Sequence, residues 1–214
     1  MKYGFRNWWY YYKWYCLLGA AGVIILFGRL ADAFGWFERK PDIQIAYIGS
    51  VRLPEEYAAG LEEVFACAAD DFNRDGTTTA VLHQYILEPD GVSEDAMYAR
   101  YAAEIEIIGD ITDCDSYLFL MEDPADVQRR FQILADPDGN PAGPADLSVT
   151  DKCIRWKDSD LLAIVSPDCL GDYEEAAQEL YLGRRAFETE KTTKYLRKCE
   201  ELWKTLNESQ GQVP

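Results

Sequence analysis

From Cys16 to Phe27 the chain carries no charged or strongly polar side chain. An aromatic, basic lead-in precedes this run (Lys2, Arg6, Trp8, Trp9, Tyr10, Tyr11, Tyr12, Lys13, Trp14), and Leu30, Ala31, Ala33 and Phe34 extend it. Together they supply enough helix for a hydrocarbon layer of about 30 Å. Trp and Tyr gather where membrane meets water, so the crowd at the entry end fits a membrane-spanning helix. The reading is a retained anchor over roughly residues 14–36, with Arg29 reaching back toward an interface.

Two other readings of the segment stand beside it. A cleavable signal peptide needs a small-residue cleavage site, and Ala31-Asp32-Ala33 is the nearest candidate. A buried core helix passes the same hydropathy test. A lipoprotein signal does not fit, because Cys16 follows Lys13-Trp14-Tyr15 and not small residues.

Charge divides the chain. Residues 1–40 carry six basic and two acidic side chains, and the other 174 carry 15 basic and 36 acidic, a net of −21. Lys and Arg are balanced across the hydrophobic run, so counting them does not orient it. A strongly acidic domain is repelled by an anionic cytoplasmic leaflet and by nucleic acid. The expectation is therefore a single-pass protein of the cell membrane with a cytoplasmic N-terminus, an extracytoplasmic domain over 41–214, and no nucleic-acid partner.

Residues 41–214 suffice for one domain with a substantial core. Asp136 to Leu147 is the most loop-like stretch. Five cysteines lie beyond the anchor: Cys67, Cys114, Cys153, Cys169 and Cys199. With no C-x-x-C and one histidine, zinc is not expected. On the oxidising side of a membrane Cys153 and Cys169 are a candidate pair; otherwise these are buried free thiols.

Strand and helix signals alternate. Ile43 to Gly49 reads as a buried strand, and Pro54-Glu55-Glu56 opens a helix with the stripe Tyr57, Leu61, Val64, Phe65, Ala68. Thr79 to Leu87 reads as a second strand. Ser93-Glu94-Asp95 then caps a helix whose stripe is Met97, Tyr101, Ile105, Ile108. Tyr117 to Met121 is a third strand, Pro124 opens a short helix through Leu134, and Leu161 to Ser166 is a fourth strand. The tail reads as helical over Tyr173 to Phe187 and Thr192 to Leu206. Near-continuous apolar strands separated by helices predict an α/β three-layer sandwich around a mainly parallel sheet of about four strands.

In such sheets ligands sit beyond the carboxyl ends of the strands. Those ends carry Gly49 and Ser50, Glu88 and Asp90, Glu122 and Asp123, and Ser166, Pro167 and Asp168. The sharpest local motif is Asp71-Phe72-Asn73-Arg74-Asp75-Gly76, whose oxygens at Asp71, Asn73 and Asp75 alternate as in a Ca²⁺ loop. Leu82 stands where such loops place their last carboxylate. The competing reading is a helix-to-strand turn whose Asp and Asn side chains bond their own backbone. His83, alone within a strand, reads as structural. No nucleophile elbow, metalloprotease helix, phosphate loop or dinucleotide fingerprint occurs, so nothing in the sequence speaks positively for catalysis.

The order Ile43–Gly49, long helix, polar turn at Asp71–Gly76 and strand Val81–Leu87 resembles the opening of bacterial extracellular solute-binding proteins. Tyr98-Ala99-Arg100-Tyr101-Ala102-Ala103-Glu104, leading to Ile108-Gly109-Asp110 and Asp115-Ser116-Tyr117-Leu118-Phe119, is similar to their N-terminal lobe. The likeness covers roughly residues 42–134 and implies the fold of one lobe. Those proteins close two lobes on a ligand, and residues 41–214 supply one. The functional expectation is a membrane-anchored binding or interaction domain, for a protein partner or small ligand, associated with a transporter or envelope complex. The alternative is a metal-assisted hydrolase using Asp71, Asn73 and Asp75 with Glu122 and Asp123.

Overall fold

A computed structural model describes residues 2–33, 41–87, 93–143, 145–148, 151–159, 179–186 and 193–208. Residues 1–40 and 41–214 form two separate compact units.

The first unit is helix α1, Lys2–Ala33. Its stretch Tyr12–Leu30 is 19 residues long and wholly unburied, and it is apolar and long enough to cross a membrane. At about 1.5 Å per residue it spans about 28 Å, close to the thickness of a hydrocarbon core. Leu18, Val23, Ile24, Ile25 and Leu26 are exposed along it.

The second unit is α/β. In chain order it contains β1 (Ile43–Gly49), α2 (Glu55–Ala68), β2 (Ala80–Ile86), α3 (Glu94–Asp113), β3 (Leu118–Met121) and α4 (Pro124–Phe131). Then follow β4 (Cys153–Arg155), a 3-10 turn (Trp156–Asp158), β5 (Tyr181–Arg184) and α5 (Thr193–Glu208). The strands form one sheet in the order β2-β1-β3-β5-β4. β1 pairs parallel with β2 and β3, whereas β5 runs antiparallel to both β3 and β4. Among the described residues the sheet is thus mixed and five-stranded, where a mainly parallel sheet of about four strands was expected.

That difference comes largely from Tyr181–Arg184, within the segment expected to be helical. Gly183 explains it. A Cβ built there would stand 2.8 Å from Met121 Cε, 2.9 Å from Leu134 Cδ2 and 3.2 Å from Cys153 Sγ. Only a glycine lets β5 slide between β3 and β4, and glycine in turn weakens a helix by about 1 kcal/mol. The expected strand Leu161–Ser166 and the helix start at Tyr173 lie outside the described residues.

The sheet is covered on both faces. Ile43, Ile45 and Tyr47 join Tyr57, Leu61 and Phe65 of α2 and Leu196, Cys199, Leu202, Trp203 and Leu206 of α5 in one core. Alternation sends Ala46 and Ile48 the other way, to Ala103 and Ile107 of α3 and Val127 of α4. Burying each large side chain contributes roughly 1.5–3 kcal/mol. The expected stripe of α2 is the one observed, and the expected tail helix from Thr192 is α5.

Helix α3 is the exception. Its expected stripe faces solvent: Met97, Tyr101, Ile105 and Ile108 are 56%, 56%, 70% and 53% exposed. The buried line is Ala103, Ile107 and Asp110, nearly opposite at about 100° per residue. Asp110 sets this rotation. Its carboxylate accepts from Tyr85 Oη at 2.9 Å, Ser116 N at 2.9 Å and Ser116 Oγ at 2.6 Å, all within the core. Turning the larger stripe inward would strand those donors, at about 1–3 kcal/mol each, and small Ala103 lets the helix sit close to the sheet.

Candidate functional site

Chain order creates the first candidate. The β1-α2-β2 crossover steps one way across the sheet, and β2-α3-β3 steps back past β1 to its other side. Right-handed crossovers in opposite directions put their helices on opposite faces, so a cleft opens where β1 and β3 end together. A depression of about 220 Å³ lies there, lined by Ile48, Gly49, Ser50, Leu87, Glu122, Asp123, Asp126 and Val127.

Its polar groups are engaged with one another. Glu122 accepts from Tyr47 Oη at 2.6 Å and from the Ser50 amide and hydroxyl at 2.8 and 2.7 Å. Burial, followed by the Glu122 carboxylate, pushes the Tyr47 hydroxyl well above its ordinary pKa. Asp123 caps α4, accepting from the Asp126 amide at 3.0 Å. Asp126 pairs with Arg129 at 3.0 Å and Arg130 at 2.6 Å. The cleft can admit a small polar molecule, but its acids hold the fold's loops in place.

Gly49, Ser50, Glu122 and Asp123 were all expected here; Tyr47 and Asp126 were not, since neither sits at a strand end in sequence. Glu88, Asp90, Ser166, Pro167 and Asp168 lie outside the described residues.

The Asp71 loop occupies the other end of β1. Asp42, buried just before that strand, accepts from Phe72 N at 2.7 Å, Asn73 N at 2.9 Å and Thr79 N at 2.9 Å. Within the loop Asp71 accepts from the amides of Arg74, Asp75 and Gly76, and Asn73 Oδ1 accepts from Asp75 N. Asp75 Oδ1 accepts from Thr77. Gly76 at φ +88° makes the turn. The side-chain oxygens thus bond the loop's own backbone and hold a tight turn. Seven residues of β1 separate this loop from Glu122 and Asp123, about 20 Å at strand rise. The two acidic sets needed by the hydrolase alternative are not brought together, and among the described residues no group of three His, Cys, Asp or Glu could hold a metal.

His83 Nε2 lies 3.1 Å from Gln44 Oε1, a cross-strand contact on the sheet. Cys67, Cys114, Cys153 and Cys199 are free, Cys67 exposed among them; Cys169 lies outside the described residues. Arg184 is a buried strand residue that pairs with Glu200 and stands over the Trp203 ring at 5.6 Å.

The second candidate is the outer face of α3. Tyr98 (65% exposed) joins Met97, Tyr101, Ile105 and Ile108 in one row of large apolar side chains. The row runs into a depression lined by Glu104, Ile108, Ile111, Arg130 and Phe131, between α3 and α4. Sequence periodicity found the row and assigned it inward. The competing line through Ala103 and Ile107 was the signal that the helix has two apolar sides.

Compared with known proteins, the chain matches no family model, and no curated protein and no solved structure matches it significantly.

Proposed function

We propose that the chain is a single-pass membrane protein whose acidic α/β domain, held on the extracytoplasmic side, works by recognising another protein and not by catalysis. The observation that carries this reading is the α3 row. Five large apolar side chains in line on one helix exceed what a soluble surface scatters singly, and such patches mark contact surfaces. The cleft supports it by contrast, because its described carboxylates are spent on hydrogen bonds and ion pairs within the fold. The anchor follows from the apolar length of Tyr12–Leu30, and the orientation from the −21 charge of the domain.

Two measurements on the full chain in its native membrane test the reading. Protease added to the outer side of spheroplasts should remove the domain and leave α1 protected; digestion only after lysis would reverse the orientation. A photoreactive residue at Tyr98 should give discrete adducts that vanish with Ile105→Glu, while the same group at exposed Glu56 gives none. Equal adducts at both positions, or none at Tyr98, would remove α3 as the contact surface.

A further inference from the structure

We infer that α3 receives a helix of a partner protein, one with an apolar stripe flanked on one side by Lys or Arg. This rests on the reading of α3 as a contact surface and adds what covers it. The form comes from spacing. Tyr98, Tyr101, Ile105, Ile108 and Thr112 recur at intervals of three and four, the a/d repeat that seats a second helix with its knobs in the holes of the first. Ala102 and Gly109, seven residues apart beside that seam, leave room for a helix backbone to approach. The groove toward α4 lengthens the seat at the Ile108 end.

The sign comes from the two flanks, which differ. On one side Glu104 is matched by Arg100 at 3.2 Å and Arg130 at 3.8 Å. On the other, Asp95, Glu106 and Asp113 stand with no ion pair among the described residues, beside a seam that lacks any charge. Over its length α3 holds six acidic side chains and one basic one. An anionic lipid surface is repelled by such a helix, and interfacial helices carry Lys and Arg on the polar face instead. A second copy would set this acidic flank, and a domain of net −21, against its own likeness. A cationic flank is the complement that turns the unmatched acids from a cost into an attraction, and it selects among apolar helices that would otherwise fit equally.

The test uses the full chain in nanodiscs of zwitterionic lipid and three synthetic helices of about three heptads, identical at their Leu/Ile seam. Their flanks are Lys, Gln or Glu, and anisotropy reads binding. The Lys helix should bind about tenfold more tightly than the Gln helix, with the Glu helix weakest, and added salt should narrow the gap. The pair Glu106→Lys and Asp113→Lys should reverse the order. Ile105→Glu should weaken all three. Equal binding of the three overturns the cationic partner while leaving α3 a contact surface. No binding by any helix, with the Ile105→Glu protein indistinguishable from the parent, overturns both. A dimer of the chain that dissolves on Ile105→Glu overturns the cationic partner in favour of a second copy.

Discussion

Ser50 and Glu122 bind the carboxyl ends of β1 and β3 together, the serine donating to Glu122 Oε2 through both its amide at 2.8 Å and its hydroxyl at 2.7 Å. With Tyr47 Oη on the other carboxylate oxygen, one acid holds two loops across the sheet's switch point. Replacing it with Ala leaves the Ser50 amide and hydroxyl without their acceptor and leaves the Tyr47 hydroxyl with the Val51 carbonyl alone, at 2.8 Å. Glu122→Ala should therefore lower unfolding free energy by about 2–3 kcal/mol, and Ser50→Ala by about 1 kcal/mol. Urea denaturation of the two variants checks the ratio; equal small losses would show that the carboxylate is solvated and idle.

Gly49 lies under the same clasp. A Cβ there would collide with the Tyr47 hydroxyl and stand 2.6 Å from Glu122 Oε1, so Gly49→Ala must displace both groups. At Gly183 the obstacles are Met121, Leu134 and Cys153, the close neighbours of β5. Gly183→Val should cost about 1–3 kcal/mol through overpacking. A melting temperature unchanged in both variants would contradict the close approaches seen here.

Alkaline pH should destabilise the domain. Burial pushes the Cys153 and Cys199 thiols from an ordinary 9.0 up to about 12, and it raises the Tyr85, Tyr117 and Tyr195 hydroxyls as well. A group whose pKa is higher in the folded state keeps its full contribution below the unfolded value and loses it as pH rises toward the folded one. For the thiols that window runs from about 9 to about 12. Denaturation midpoints should hold below it and fall within it. Maleimide at neutral pH should label exposed Cys67 well before Cys153 or Cys199, as peptide mass mapping would read.

The Asp71 loop folds on its own amides, so its value to stability should not need a cation. Asp71→Ala removes the acceptor for the Arg74, Asp75 and Gly76 amides and should cost about 1–2 kcal/mol in the presence of chelator. The same loss in Ca²⁺ is expected. A loss that appears only in Ca²⁺ would make the loop a cation site after all.

How much of this was legible in the chain depends on how local its causes are. β1 was readable to the residue, because a central strand buried on both faces writes itself as Ile43-Gln44-Ile45-Ala46-Tyr47-Ile48-Gly49. α5 was readable because it has one apolar side, which Leu196, Cys199, Leu202, Trp203 and Leu206 occupy. β5 was hidden: four residues long, it is a strand because of Met121, Leu134 and Cys153, all distant in sequence. The cleft was half legible, since the strand-end rule finds Ser50 and Glu122 but not Tyr47, which reaches them from inside β1. α3 shows the sharpest limit. Periodicity measures how apolar a side is, whereas the rotation here is decided by three hydrogen bonds to Asp110.

The outer row of α3 also bears on how this protein behaves in bulk. Tyr98, Tyr101 and Ile105 in water make a surface that adheres to whatever apolar matter it meets, and the −21 charge around them acts as a colloidal barrier against that adhesion. The barrier is long-ranged and the stickiness is short-ranged, so ions govern the balance: at low salt the molecules hold one another off, and at high salt the screening length shrinks to a few ångströms. Handling conditions thus decide whether copies meet at α3 by accident, and a cationic partner is the one visitor for which the barrier becomes a guide.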